Sequence, residues 1–268
     1  MGVKAAKIAI ERSGVAKEDI DFVVFATLSP DYYFPGPGVL VQRDLGLRTV
    51  GALDVRNQCS GFVYAISVAD QYIKTGMYKN ILIIGSEVHS TGLDMTTRGR
   101  GVSVIFGDGA GAVLLEKTES DAGLMKTILK TDGSGVSSLA VPAGGSRNPT
   151  SMQSLLHRTH YLKQDGAFVF KRAVSAMSQV SQDALAKNEL EADQIDWVVP
   201  HQANLRIITA VGESLGIDFE KVKVNIDRYG NTTSATIPLC LWDFAADFEE
   251  GQNLLITTFG AGFSWGAT

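Results

Sequence analysis

The stretch that decides the fold is residues 51–76, GALDVRNQCSGFVYAISVADQYIKTG. A short apolar strand leads into a polar turn and then into Cys59, after which apolar side chains recur at helical spacing as far as Gly76. This pattern predicts that Cys59 lies in the first turn of a long, mostly buried helix. Because helix N-termini favour anions and lower the pKa of a cysteine, the position indicates a nucleophilic thiolate. The alternative is a small buried cysteine that packs like alanine.

Composition and charge narrow the class of protein. The chain has 268 residues, 45% of them apolar, which is enough to bury a substantial core in one large domain or two. Its 24 basic and 29 acidic residues give a net charge of −5, which argues against general nucleic-acid binding. No apolar run is long enough for a transmembrane helix. The composition therefore predicts neither nucleic acid nor a membrane as a partner.

The rare residues indicate the compartment and argue against a metal. The two cysteines, Cys59 and Cys240, form no C-x-x-C pair, which predicts neither a disulfide framework nor a zinc site and favours a reducing cytoplasm. Cys240 lies in the apolar stretch TIPLCLWDF and is predicted to be a core residue. His157 and His160 stand three residues apart but lack a nearby carboxylate or cysteine, so no metal site is predicted.

The chain contains two similar series of elements. Helices alternate with short strands rich in valine and isoleucine, which predicts α/β layers around mostly parallel sheets. The matching stretches are EDIDFVV (18–24) with DQIDWVV (193–199), LGL (45–47) with LGI (215–217), and KNILII (79–84) with QNLLIT (252–257). Their common order and similar offsets predict a duplicated α/β unit, with halves at residues 1–118 and 119–268.

The predicted elements fall into the same two series. The first series has helix 3–13, strand 21–27, helix 36–45, strand 51–55, helix 59–76 and strand 80–86. The second has strand 123–131, helix 166–187, strand 195–200, helix 203–215, strand 221–227, helix 232–247 and strand 253–259. Since only the second series opens with a strand, we expect the first strand of the N-terminal half to be missing and the chain to be truncated.

The repeat aligns polar residues from the two halves. Cys59 falls opposite Asn231, and His201 follows directly after the strand that ends VVP. Ligands of doubly wound sheets bind beyond the carboxyl ends of the strands, so we expect these three side chains to converge. A neutral imidazole can activate a thiol, and an amide can donate to a developing oxyanion. Taken alone, HQAN has an alternative interpretation as a capped helix start with a hydrogen-bonded histidine.

With these residues in place, the chain resembles the β-ketoacyl-acyl-carrier-protein synthase III branch of the thiolase superfamily. The resemblance covers nearly the whole chain and is carried by DVRNQCSGFVYAISVADQYIKTG, IFGDGAGAVLLE, VPHQANLRII, DRYGNTTSATIP and FGAGFSWG. It implies a thiolase-like duplicated α/β fold, layered α-β-α-β-α, and a homodimer. The family also has an N-terminal segment that is absent here, in agreement with the expected truncation.

The resemblance implies a two-step acyl transfer. Cys59 accepts an acyl group from acyl-CoA, and malonyl-acyl-carrier-protein then loses carbon dioxide and attacks the resulting thioester, which initiates fatty acid biosynthesis. His201 and Asn231 donate hydrogen bonds to the thioester oxygen of the malonyl group, and the backbone N–H groups of Cys59 and Ala261 form the oxyanion hole. No metal or redox cofactor is implied, and acyl-CoA is a substrate.

Binding residues also carry over from the family. The acyl pocket is implied to contain Phe34, which reaches across the dimer, together with Phe106 and Phe259. The coenzyme path is implied to contain Phe170 and Asn204 along the pantetheine tunnel and Arg100 near the adenine. The acidic carrier protein is implied to contact Lys171 and Arg206.

Two other functions stay open at this point. A specialised relative would pass the acyl group from Cys59 to another acceptor in secondary metabolism, and a truncated chain would serve as a non-catalytic dimer partner. Three further polar residues, Glu87, His89 and Asp94, follow the strand at 80–86. They are candidates to border the pocket, although surface or loop roles are the favoured interpretation.

Overall fold

Two four-stranded sheets, one from each half of the chain, form the frame of the molecule. The computed structural model describes residues 1–120 and 122–268. Its strands are β1 (Phe22–Ala26), β2 (Gly51–Val55), β3 (Asn80–Glu87), β4 (Gly109–Glu116), β5 (Ile128–Thr131), β6 (Leu139–Ala140), β7 (Lys163–Gln164), β8 (Trp197–Pro200), β9 (Leu254–Gly260) and β10 (Ser264–Ala267). Its helices are α1 (Gly2–Ser13), α2 (Pro37–Leu45), α3 (Gly61–Lys74), α4 (Arg100–Ser103), α5 (Met152–Leu156), α6 (Gly166–Lys187), α7 (Leu205–Leu215), α8 (Ile226–Tyr229) and α9 (Thr236–Asp243).

The two sheets repeat one topology. The first has the order β2-β1-β3-β4, with β1 parallel to β2 and β3, and β4 antiparallel to β3. The second has the order β5-β10-β9-β8, with β8 parallel to β9 and β10 antiparallel to it. The predicted duplication is therefore confirmed. In the second sheet β5 flanks β10, whereas no strand of the described residues flanks the corresponding edge of β4.

Helices cover both sheets and fill the space between them. Helices α1 and α2 pack on the outer face of the first sheet, and α6 and α7 on the outer face of the second. Helices α3 and α9 lie between the sheets, where Phe62, Ile66 and Ile237 pack against strands from both halves. The predicted five-layered architecture is confirmed. Cys240 of α9 is buried in the middle layer, as predicted.

The middle layer brings the site together. Helix α3 starts beside Cys59, and α9 follows the loop that contains Asn231, so both halves deliver a polar residue to the same edge of the layered structure. The division at residues 118 and 119 stays a prediction, although each sheet takes its strands from one side of it. Within the part of the chain that the structure describes, no helix combines the length and apolar character needed to span a membrane.

Two predicted elements differ from the structure around Asn231. The predicted strand 221–227 is reduced to a single parallel bridge between Val222 and Val198, because the polar side chain of Asn225 bonds to Asp243 and its N–H to Gln202. The predicted helix 232–247 begins as a short 3₁₀ turn, which runs directly into α9, and α9 ends at Asp243. These irregular segments shape the loop that carries the amide.

Candidate active site

A tight turn presents Cys59 at the junction of β2 and α3. Gln58 has φ of +45°, a strained conformation for a side chain other than glycine, and a 3₁₀ turn carries the chain into the helix. Thr258 Oγ1 donates to the carbonyl of Cys59 at 2.8 Å. A Cβ at Gly260 would lie 2.9 Å from the backbone nitrogen of Cys59, so only glycine permits this contact. The turn is therefore held rigidly by the second half of the chain.

The thiol of Cys59 is protonated in the resting protein. Burial raises the pKa of Cys59 to about 12, and the nearby charge of Glu87 acts in the same direction. Hydrogen bonds from Thr233 and Asn231 lower the pKa but do not offset the burial. The prediction of a thiolate at the helix N-terminus is therefore wrong, because loss of solvation at the buried sulfur outweighs the groups that would lower its pKa. Acylation requires a base that takes the proton.

His201 supplies a neutral imidazole at the end of β8. Its ring is only 2% exposed, and burial lowers its pKa to about 3. Nδ1 lies 2.8 Å from Oγ1 of Thr236, and that hydroxyl donates to the carbonyl of Thr233 at 2.9 Å. In this arrangement the hydroxyl oxygen accepts from Nδ1–H, which leaves a lone pair on Nε2. Nε2 has no partner within the described residues and is free to act on a bound substrate.

Asn231 is oriented by its own loop. Its Oδ1 accepts the N–H of Thr233 at 2.8 Å, which leaves the NH₂ group as a donor. Its backbone bonds to Ile105 and Gly107, so the glycine-rich stretch before β4 fixes the position of the amide. The stretch Gly107-Asp108-Gly109 therefore has a structural role. The side-chain amide of Asn231 that it positions can stabilise a developing negative charge.

Two cavities meet at Cys59. The first cavity, of about 610 Å³, is lined by Cys59, His201 and Asn231. The second cavity, of about 490 Å³, reaches Cys59 from another side and is lined by Ala261, His89 and Thr233. The convergence of the three catalytic candidates on one cavity is the geometry that the repeat predicted.

The predicted binding residues divide between these cavities and the surface. The first cavity contains Phe106, Phe170, Lys171, Asn204, Arg206 and Phe259. Phe106 also lines the second cavity, whereas Phe259 does not. Phe34 is 81% exposed and lines neither cavity within this chain, and Arg100 is an exposed residue beside the first cavity. The roles of Phe34 and Arg100 stay predictions.

Glu87 and His89 are not at the surface: Glu87 is 1% exposed and His89 is 7% exposed. His89 borders the second cavity, which is the other role considered for these residues. Both sit at the carboxyl end of β3, the same kind of position that identified His201. Asp94 lies in the loop after β3, in agreement with a loop role, and forms an ion pair with Arg158.

Glu87 ties the two halves of the chain together. Its carboxylate accepts the N–H of Leu28 and the hydroxyls of Thr27 and Ser29, and it lies 2.7 Å from Oγ of Ser234. Burial raises its pKa, while these hydrogen bonds lower it. The loop after β1 is thereby joined to the turn that follows Asn231.

We expect Glu87→Ala to destabilise the protein by about 3 kcal/mol, because several buried donors lose their acceptor at once. Chemical denaturation measures the change in the free energy of unfolding. Glu119→Ala is the matched control, since Glu119 is exposed and forms a surface ion pair with Lys117. A loss below about 1 kcal/mol in Glu87→Ala would contradict the bridging role.

We expect the folded protein to lose stability as the pH falls below about 6.5. Burial lowers the pKa of His89 to about 4 and that of His201 to about 3, so only the unfolded chain takes up these protons in that range. For His89 alone the loss at pH 4.5 is about 2.5 kcal/mol. The raised pKa of Glu87 acts in the opposite direction.

Comparing two proteins isolates the contribution of His89. Urea unfolding of the wild type and of His89→Leu at pH 7 and pH 4.5 gives four free energies, and the effect of Glu87 cancels in their difference. The variant should lose less stability than the wild type on acidification. Equal losses in both proteins would mean that His89 is not held neutral by the fold.

The doubled, five-layered fold and its Cys, His and Asn residues define a thiolase-like acyltransferase. Residues 53–133 match the family described as 3-oxoacyl-[acyl-carrier-protein (ACP)] synthase III, and residues 185–268 match its C-terminal part. The chain belongs to the 3-oxoacyl-[acyl-carrier-protein] synthase III family.

Individual relatives are similar to this chain in sequence or structure over its whole length. A β-ketoacyl-[acyl-carrier-protein] synthase III of Bacteroides thetaiotaomicron is 46% identical over 267 residues, covering 100% of this chain and 79% of the relative. The solved synthase III of Aquifex aeolicus superposes with a TM-score of 0.91 at 37% identity, covering 100% of this chain and 82% of the other. That of Thermus thermophilus gives 0.89 at 37% identity, covering 99% and 81%.

Proposed function

We propose that the protein transfers an acyl group from acyl-CoA to Cys59 and condenses it with malonyl-acyl-carrier-protein to a 3-oxoacyl-acyl-carrier-protein. This reaction initiates fatty acid biosynthesis. The observation that carries the proposal is the meeting of Cys59, His201 and Asn231 at one cavity of a chain that belongs to the synthase III family.

In the first step the thiol proton of Cys59 moves to Nε2 of His201, and the sulfur attacks the carbonyl of the acyl-CoA. The lone pair on Nε2 and the protonated state of the resting thiol support this assignment. The tetrahedral oxyanion is stabilised by the backbone N–H groups of Cys59 and Ala261. The C–S bond to coenzyme A then breaks, and the departing thiolate takes the proton from Nε2.

In the second step the malonyl group loses carbon dioxide, and the electron pair of the broken C–C bond becomes an enolate. Its oxygen receives a hydrogen bond from the NH₂ group of Asn231, whose orientation is set by the bond from Thr233. A turn of the Thr236 hydroxyl toward Nδ1 of His201 favours the tautomer with the proton on Nε2, which then donates as well. The enolate carbon attacks the carbonyl of the acyl-enzyme, the C–S bond to Cys59 breaks, and the departing thiolate takes from solvent the one proton that the overall reaction consumes.

The first cavity accepts the thioester arm of both substrates. Phe170 and Asn204 line it between Cys59 and the exposed Lys171 and Arg206, which provide positive charge for an acidic carrier protein. Arg100 contacts the adenine end of the coenzyme. The second cavity takes the acyl chain, because it reaches Cys59 away from these basic residues.

The working protein is a homodimer in the cytoplasm. Phe34 lies in a run of exposed aromatic residues, and an exposed side chain of that kind supports contact with a second copy, whose acyl pocket it would complete. Neither a metal nor a redox cofactor is needed, since release of carbon dioxide drives the condensation. Transfer to a different acceptor is not favoured, because the similarity to synthase III relatives extends over the whole chain.

The test is a reconstituted reaction with acetyl-CoA and malonyl-acyl-carrier-protein. We expect one carbon dioxide to be released for each 3-oxoacyl product, and no product when acetyl-CoA is left out. Release of carbon dioxide without a condensed product, or acyl transfer to another acceptor only, would contradict the proposed function.

A further inference from the structure

His89 occupies the wall of the second cavity next to the nucleophile. Its Nε2 lies 2.6 Å from Oγ1 of Thr233, and that hydroxyl is hydrogen-bonded to the thiol of Cys59. The imidazole is thus separated from the sulfur by a single hydroxyl group. An acyl chain that extends from Cys59 into this cavity passes the imidazole within its first few carbons.

The second ring nitrogen of His89 is the unusual feature. Nδ1 makes no hydrogen bond within the described ranges 1–120 and 122–268, yet it is not sealed off, and the cavity that His89 lines is the second one. The ring is held by Phe106, which packs against it with ring centroids 5.0 Å apart, and by the contact of Nε2 with Thr233. Turning the ring would break both of these contacts.

The wall of this cavity is mixed in polarity. Apolar side chains come from Leu28, Leu93, Val141 and Leu162, and polar ones from Ser29, Arg56, Gln58, Thr91 and His160. At about 490 Å³ the cavity falls in the range that holds drug-sized ligands, so its volume does not exclude an octanoyl chain. Size alone therefore does not select the acyl chain, and among the lining side chains that carry nitrogen only His89 is buried.

We propose that His89 is a specificity-determining residue that selects against long saturated acyl groups. A short acyl group leaves room for water to bond to Nδ1, whereas a saturated chain that fills the cavity removes that water and leaves a buried polar atom without a partner. This proposal rests on the proposed function, since it concerns the acyl group that Cys59 accepts. The chemical class it favours is a short acyl thioester such as acetyl-CoA.

The test compares two substrates within each variant. Initial rates of Cys59 acylation by acetyl-CoA and octanoyl-CoA give a ratio of specificity constants for the wild type, His89→Leu and His89→Gln. Any effect of the substitution on Cys59 through Thr233 cancels in the ratio. We expect His89→Leu to raise the octanoyl-to-acetyl ratio about tenfold, which corresponds to about 1.4 kcal/mol. His89→Gln keeps a hydrogen-bonding group and should stay within about twofold of the wild type.

Each outcome decides the proposal. An unchanged ratio in His89→Leu, or an equal rise in His89→Gln, would overturn the role of His89 while leaving the acyltransferase function intact. If His89→Leu does not fold, His89→Met supplies the same apolar replacement with a more adaptable side chain. Failure of acetyl-CoA to acylate the wild-type protein would instead overturn the proposed function, and the specificity proposal with it.

Discussion

Cys59→Ala should lower the rate of 3-oxoacyl product formation by about a thousandfold or more and abolish the acyl-enzyme. Cys59 is the only cysteine among the described residues that line either cavity, and a methyl group cannot attack a thioester. The measurement is product formation from acetyl-CoA and malonyl-acyl-carrier-protein, together with the mass of the protein after exposure to acetyl-CoA alone.

The second cysteine provides the control for this result. Cys240 is fully buried in the middle layer, and burial raises the pKa of Cys240 to about 12. Cys240→Ala should remain acylated at Cys59, because Cys240 lines neither cavity. Acylation that persists in Cys59→Ala but disappears in Cys240→Ala would contradict this assignment and identify Cys240 as the acylated residue.

Asn231→Ala should slow condensation by about a hundredfold while Cys59 is still acylated. In the proposed mechanism the amide stabilises the enolate that forms after loss of carbon dioxide. Its hydrogen bond to the sulfur of Cys59 gives it a smaller part in acylation, so acylation should slow less than condensation. His201→Ala should slow both steps, since the imidazole takes the thiol proton in the first and donates to the enolate in the second. Separate measurements of acyl-enzyme formation and of carbon dioxide release distinguish the two variants.

His157→Ala is the matched control for the imidazole. His157 is exposed and lies outside both cavities, so its removal should leave both rates within about twofold. Equal slowing of acylation and condensation in Asn231→Ala would contradict a role mainly at the enolate. Full activity in His201→Ala would contradict the proposed role of His201 as the base.

The fold could be predicted because the chain repeats itself. Matching strand sequences at 18–24 and 193–199 revealed two copies of one unit, and the structure has β1 and β8 at equivalent places in the two sheets. The same repeat aligned Cys59 with Asn231 across 172 positions. A repeat in the sequence therefore predicts that two strand-to-helix junctions occupy equivalent positions in the folded protein.

The parts that could not be predicted depend on burial and on single hydrogen bonds. The resting thiol of Cys59 is protonated because the middle layer excludes water, and helical spacing alone cannot show how completely it does so. Surface or loop roles were favoured over a place beside the pocket for His89 and Glu87, since charged and polar residues after a strand are usually exposed. Their burial depends on Thr233 and Ser234, which arrive from the other half of the chain.

The same limit applies to the strand predicted at 221–227. Its valines alternate as strand residues do, but Asn225 bonds across to Asp243 and Gln202 and turns the chain toward Asn231. Side-chain bonds to partners distant in sequence override the local pattern here. Asn231, whose amide is proposed to be catalytic, follows that irregular segment.

The most direct measurement of the central claim is intact-protein mass spectrometry in two stages, followed by peptide mapping. Incubation with acetyl-CoA alone should add the mass of one acetyl group, located on the peptide that contains Cys59, and later addition of malonyl-acyl-carrier-protein should remove it and yield a 3-oxoacyl-acyl-carrier-protein. A protein that stays unmodified, or that carries the acetyl group on another residue, would contradict the claim that Cys59, His201 and Asn231 work as one acyl-transfer site.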